Sequence, residues 1–382
     1  VFLPKNLYST GIRESNNVSD SLLYTACHQW HVDHGGRMVD FAGWEMPLLY
    51  SNITAEHHAV RKTAGLFDIA HMGRLFFTGP DACRFLDTLL TNNVESLKPG
   101  QIRYSLVTNE SGGILDDVLV YRFTDLYMLV VNASNRLKIV DWIEKQRQGF
   151  DVQIEDLTSE KFMLALQGPE SLGILNPLVE ADLGEIKYYY GVETQVLGVD
   201  ALVSRTGYTG EDGFEVVLDQ SQAMMLWERL ISEGQSAGLI SAGLGCRDTL
   251  RLEAAMPLYG HELDEQTDPF TAGLNFAVKL QGADFIGKES LIAAKAREDR
   301  KVRVGFTLDG KRAAREGCLL FDGDQQIGTV TSGSFSPTLA MPIGMAYVEA
   351  SFAEPGQILE ADIRGKRFAV KVVTLPFYKR GI

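Results

Sequence analysis

The sequence predicts a mixed α+β chain of two or three domains that closes with an all-β domain. Three observations carry this. A chain of 382 residues exceeds what one ordinary hydrophobic core organises. Between residues 54 and 255, short β-branched runs alternate with helical patterns, the order of an α+β sandwich. Beyond Val304 only short strands and Gly/Pro turns are found, as at 328–333 and 344–348, which is the pattern of a barrel or jelly roll. The boundaries read as an extension over 1–20, two interleaved α+β domains over 21–294 and a β domain over 295–382. The charge run KAREDRKVR at 295–303 is the linker into the last of these.

Taken in order, residues 1–20 lack the apolar stretch of a secretory signal and carry two acids with little arginine, so they read as an extension. A helix is expected over 21–31. His28, His31 and His34 then recur at every third position, but only Asp33 backs them at ligand spacing and Gly35–Gly36 ends the helix, so no metal site is expected. A second helix is expected over 54–64, capped by Thr54 with Glu56 in its first turn. Turn and strand fill 65–77, and a helix 80–90.

The stretch TNESGGILDDVLVYR, beginning at Thr108, is the centre around which the chain is organised. A strand over 104–107 leads into it, Gly112 and Gly113 permit a turn that a Cβ would resist, and a second strand over 118–123 leaves it. Asp116 and Asp117 stand between turn and strand. Adjacent side chains on extended backbone point to opposite faces, so the two cannot enter one cavity together. One is a candidate for solvent or a backbone bond, the other for an interior where desolvation and partners set its charge. A strand over 127–132 and a helix over 133–146 come next, then a strand ended by Gly168–Pro169 and a further helix.

The run 202–217 is a hairpin by pattern. Its glycines are not a phosphate loop, since no helix N-terminus comes after them and acids line the turn. Glu215 sits mid-strand among apolar residues, so it either faces solvent or has a cationic or NH-rich partner. A helix over 243–255 carries Arg247 and Arg251 one turn apart, on a solvent face or in a site.

Composition narrows the function. Hydrophobic content of 45% and charged content of 23% are those of a globular protein, and no apolar run approaches a membrane span. The net charge of -14 argues against duplex or membrane-surface binding without excluding a local basic rim at Arg297, Arg300 or Arg312. Cys27, Cys83, Cys246 and Cys318 form no CxxC, so reduced thiols are expected. Sequons at Asn17, Asn52, Asn109 and Asn132 carry no meaning without a secretion signal.

The motifs HGGRMVDFAGWEMP, GLFDIAHMG, TNESGGILDDVLVYR, LALQGPES, RTGYTGEDGFEV and GLGCRDTLRLEAAMPLYGHELDE, in this order, resemble the aminomethyltransferase family of the glycine cleavage system, the T-proteins. The resemblance runs from about His31 to Arg380. It implies a three-domain cloverleaf with tetrahydrofolate in a central cavity. Asp117 matches the family's catalytic aspartate, with Asp116 its neighbour. Glu215 matches the acid that takes the pterin's amino and ring NH groups, and Arg247 the arginine of the folate site. Met72, Tyr104, Val130 and Asn132 match positions lining the same cavity, and Tyr378, in the terminal PFYKR, a residue that closes it.

The implied reaction moves the methylene of an S–CH2–NH2 group, held on the lipoyl arm of the H-protein, to tetrahydrofolate, without a metal. A folate-binding relative serving iron–sulfur maturation is the alternative, but its Lys-Gly-Cys motif is missing here. A sarcosine oxidase-type domain would bring a GxGxxG fingerprint, which is also missing. The expected compartment is a bacterial cytoplasm, with the mitochondrial matrix as the alternative.

Overall fold

A computed structural model describes residues 21–381, so the extension read over 1–20 lies outside the described residues. A five-stranded antiparallel sheet runs in the order Ile102–Thr108, Ile114–Arg122, Tyr127–Val131, Gly73–Thr78, Gln153–Asp156. A six-stranded sheet runs Gly191–Val196, Val199–Ser204, Gly213–Asp219, Lys161–Gln167, Ala64–Asp68, Leu239–Ser241, and only its last pair is parallel. The strands Lys301–Leu308, Leu319–Asp322, Gln325–Ser336, Met341–Glu349, Ile358–Asp362 and Arg367–Val373 close into a barrel rather than a jelly roll. Closure leaves no sheet edge to pair with another chain.

The two open sheets pack face to face. Tyr121, Met128 and Val130 of the first meet Phe67, Met163, Ala165 and Val217 of the second, with Cys246 and Leu250 of the helix Leu244–Glu253 closing the layer. The outer faces are covered by helices. Ala82–Leu89 and Arg136–Gln146 pack over Val118, Val120 and Leu129, and Ala223–Gly234 packs over Leu164, Leu166 and Val216. Each fully buried side chain of this kind contributes roughly 1.5–3 kcal/mol.

Several expectations change. The turn and strand expected over 65–77 are instead two strands, Ala64–Asp68 and Gly73–Thr78, in different sheets. The chain reverses between them because the Arg74 guanidinium donates to the carbonyls of Ala70, Met72 and Thr158 while the Ala70 N–H donates to Asp68. The first helix spans only His28–Asp33, since Leu23 bridges to Trp44 and the Thr25 hydroxyl donates to Asp68, holding that stretch extended.

The second helix is Ile53–Lys62, capped by Asn52 through the Ala55 N–H at 2.8 Å, not by Thr54. The three histidines share no ligand position. His28 pairs with Glu45, His31 with Asp68 and Tyr50, and His34 with the Trp30 carbonyl. All four cysteines are free thiols.

The helix Leu244–Glu253 joins the sheets to the barrel, and the surface reading of Arg251 fails. Its guanidinium is buried, donating to Asp248, to Glu262 at 3.0 Å and to Ser332 of the barrel at 2.9 Å. Glu253, at the end of the helix, takes Arg61 at 2.9 Å and His57 at 3.1 Å through one oxygen. Its other oxygen takes the Ser336 hydroxyl and the Thr338 N–H of the barrel.

Candidate functional site

The site begins at the double-glycine turn. Gly112 has φ 85°, the left-handed region. A Cβ on Gly113 would lie 1.8 Å from the Glu265 carbonyl oxygen, so only glycine allows that loop to approach. The approach lets the Ile114 N–H donate to the carbonyls of Asp264 and Thr267 at 3.1 and 3.2 Å. The strand therefore starts at Ile114 rather than at residue 118, and both aspartates lie within it. Alternation separates them. Asp116 shares a face with Val118 and Val120 under the helices, and Asp117 shares one with Leu119 and Tyr121 in the layer between the sheets.

Asp116 is fully buried and accepts three N–H groups. These are the Asn132 backbone N–H at 3.0 Å, the Asn132 side-chain amide at 2.8 Å and the Asn135 side-chain amide at 2.6 Å. Asp117 accepts the Tyr104 hydroxyl at 3.0 Å on one oxygen and the same Asn132 amide at 2.8 Å on the other. Burial pushes the Asp117 carboxyl up to about 6, and the bonds from Tyr104 and Asn132 oppose the rise. Burial, and then the charge of Asp117, raise Asp116 as well.

Glu215 enters the same layer from the other sheet, paired in register with Ser204 on one side and Ala165 on the other. It is buried, and its partners are hydroxyls rather than a contacting cation: Thr206 at 2.5 Å and Tyr121 at 3.4 Å, both on one carboxylate oxygen. The second oxygen has no protein partner among the described residues. Burial raises the Glu215 carboxyl, while Thr206 and the nearby charge of Arg247 oppose the rise. Arg247 lies over the Tyr208 ring at 4.9 Å. Among the described residues its guanidinium makes no hydrogen bond or ion pair, and burial holds its proton affinity below the usual arginine range.

Of the other positions singled out by sequence, Tyr104 and Val130 flank Leu119 in register, so they share the face of Asp117. Asn132 stands just beyond that strand, and Met72 packs into the layer from the turn that Arg74 holds. Tyr378 lies elsewhere. Its ring sits 4.0 Å from the Arg61 guanidinium and its N–H donates to the Glu253 carbonyl, roughly 9 Å along the helix from Arg247. Tyr121, Thr206, Tyr208 and Asn135 also belong to the site, although their residue types alone do not mark them out. Strand alternation from Asp117 would have found Tyr121, and the loop preceding Glu215 contains both Thr206 and Tyr208. Asn135 had no signal beyond its nearness to Asn132.

Two sheets enclosing a layer of acids, tied through one helix to a closed barrel, form an architecture with known relatives. Residues 27–282 match the family described as the GCVT N-terminal domain, and residues 301–379 the glycine cleavage T-protein C-terminal barrel domain. An aminomethyltransferase of Streptomyces coelicolor is 48% identical over 368 residues, covering 95% of this chain and 99% of its own. One from Rubrobacter xylanophilus is 48% identical over 361 residues, covering 94% and 95%. The crystal structure of glycine cleavage system aminomethyltransferase T from Bartonella henselae superposes with a TM-score of 0.89 at 37% identity, covering 94% of this chain and 99% of its own.

The chain belongs to the glycine cleavage T-protein family. It is an enzyme, an aminomethyltransferase of that system.

Proposed function

We propose that the inter-sheet layer binds tetrahydrofolate and that Asp117 serves transfer of a one-carbon unit to it from an aminomethyl group on the lipoyl arm of a partner H-protein. The products are 5,10-methylenetetrahydrofolate, ammonia and the dihydrolipoyl carrier. The observation that carries this reading is Arg247, a half-buried guanidinium beside the inter-sheet layer with no hydrogen-bond or ion-pair partner among the described residues. Such a charge is retained where a ligand satisfies it. Glu215 supports the same reading, because its unpartnered oxygen and its hydroxyl-bonded one together suit the paired N–H donors of a pterin.

Tetrahydrofolate, when bound, supplies the nucleophilic nitrogens. The residues supply position and charge. Glu215 and Arg247 orient the pterin. Asp117, raised to about 6 but still ionised at neutral pH, takes a proton or stabilises positive charge developing at the transferred carbon. Bringing two bound partners together at one atom supplies most of the acceleration. We place the enzyme in a bacterial cytoplasm, a reading supported by its bacterial relatives.

The test is a single-turnover assay with aminomethylated H-protein and tetrahydrofolate. Asp117→Asn is expected to bind folate as the wild type does and to lose on the order of 10²–10⁴ in rate. Wild-type turnover in that variant would remove the reading.

A further inference from the structure

We infer that Asp116 is a positioning residue that sets the orientation of the Asp117 carboxylate through Asn132, with Asn135 holding Asp116 in turn. The inference rests on the reading that Asp117 serves the transfer. Its basis is the distribution of hydrogens on one side chain. The Asn132 amide has two N–H groups. One is directed to Asp116 at 2.8 Å, and the Asp117 carboxylate accepts from the same nitrogen at 2.8 Å, as does the Asp117 carbonyl at 3.1 Å.

Asp116 also takes the backbone N–H of Asn132 at 3.0 Å, so it grips that residue at both its main chain and its side chain. A primary amide held at two points cannot rotate, and its remaining N–H then points along a fixed direction at Asp117. Asn135, at the foot of the helix Arg136–Gln146, adds a third donor at 2.6 Å on the oxygen that also receives the Asn132 amide. Asp116 itself is fully buried on the face turned away from the inter-sheet layer, so it meets no substrate there. Beyond the charge it shares with its neighbour, its effect on the reaction passes through Asn132.

The chemistry suggests graded substitutions. In Asp116→Asn, an amide oxygen standing where Oδ1 now accepts two hydrogen bonds still accepts both side-chain amides, and only the Asn132 backbone N–H loses its partner. Asp116→Ala removes all three acceptor contacts. Asn135→Ala removes one donor and leaves the grip on Asn132. Misplacement of a reacting group by an ångström costs about 10²-fold. The single-turnover rate is therefore expected to fall only a few-fold in Asn135→Ala, about 10-fold in Asp116→Asn and about 100-fold in Asp116→Ala. Folate affinity, set by Glu215 and Arg247, is expected to stay within about twofold throughout.

A structural role alone would not produce the decisive readout, which is a double-mutant cycle. Each substitution is combined with Asp117→Asn, and single turnovers are followed long enough to measure the residual rate. A residue acting only through Asp117 has nothing left to position, so no further loss is expected in that background. The same fold-loss in both backgrounds, or wild-type rates in all three single variants, would overturn the inference. Should Asp116→Ala fail to fold, Asp116→Asn and Asn135→Ala decide the matter by the same criterion. Wild-type turnover in Asp117→Asn itself strikes the function reading instead, so the two failures are distinguishable.

Discussion

Asp117→Asn should make the ligand-free protein more stable while disabling it, and the size of the gain comes from the site. In the folded chain the carboxyl stands at about 6 instead of 3.8, raised mainly by burial. The folded state therefore binds its proton more tightly than the unfolded chain does. Stability falls as pH rises from the unfolded value through the folded one, and the full penalty is present above about 6. The penalty is on the order of 3 kcal/mol at neutral pH. Because Asp116 and Asp117 are adjacent and both raised, it is a property of the pair.

An asparagine removes the charge and keeps an acceptor for Tyr104, but its own amide would face the Asn132 amide, losing a bond worth about 1–2 kcal/mol. The net expectation is a gain of roughly 1–2 kcal/mol at pH 7.5 that shrinks toward zero or below near pH 4.5. Thermal melts of both proteins without ligand across that range, read as a difference in Tm at each pH, measure it. A variant less stable than wild type at pH 7.5, or a Tm difference independent of pH, would refute the reasoning.

Three further outcomes are expected. Glu215→Gln should weaken folate roughly 10–100-fold with a smaller effect on the rate at saturation, since one charge-assisted bond is worth about 1.5–3 kcal/mol; calorimetric titration with tetrahydrofolate checks it. Arg247→Met should weaken folate comparably yet change the ligand-free Tm little, because its guanidinium makes no hydrogen bond or ion pair among the described residues and burial already disfavours its charge; a clear drop in Tm would contradict that account. Arg251→Ala, one turn along the same helix, should instead destabilise by about 3–5 kcal/mol, because Glu262 is left buried without its cation; denaturant unfolding measures the loss.

Local chemistry was the legible part of this chain. The double glycine, the hairpin ahead of Glu215 and the β-rich end all lie where their residues suggested, because each depends on neighbours in sequence. Sheet membership was not legible. Ala64–Asp68 and Gly73–Thr78 look alike as apolar runs, and only pairing with residues about 50 to 100 positions away assigns them to different sheets. Burial of charge was equally hidden, since Arg251 and Glu253 resemble the polar face of a surface helix until the barrel supplies Ser332, Ser336 and Thr338. At the site, Glu215 stands out as a carboxylate in an apolar strand, whereas the choice of Asp117 over Asp116 rests on the family resemblance and not on the residues alone. Thr206 and Tyr121 escaped notice because hydroxyls are common and acquire meaning only when two sheets bring them to one carboxylate.

The helix Leu244–Glu253 has a consequence for how this protein can be divided. Along its length it presents one arginine to the inter-sheet layer, a second to the barrel wall and a glutamate to four partners drawn from distant parts of the chain. Severing the barrel would strip Arg251 of Ser332 and Glu253 of Ser336 and Thr338, exposing both on the very element that borders the acids. Truncation just ahead of the barrel strand that begins at Lys301 is therefore expected to weaken the helix beside the site, so the barrel and the sheets stand or fall together.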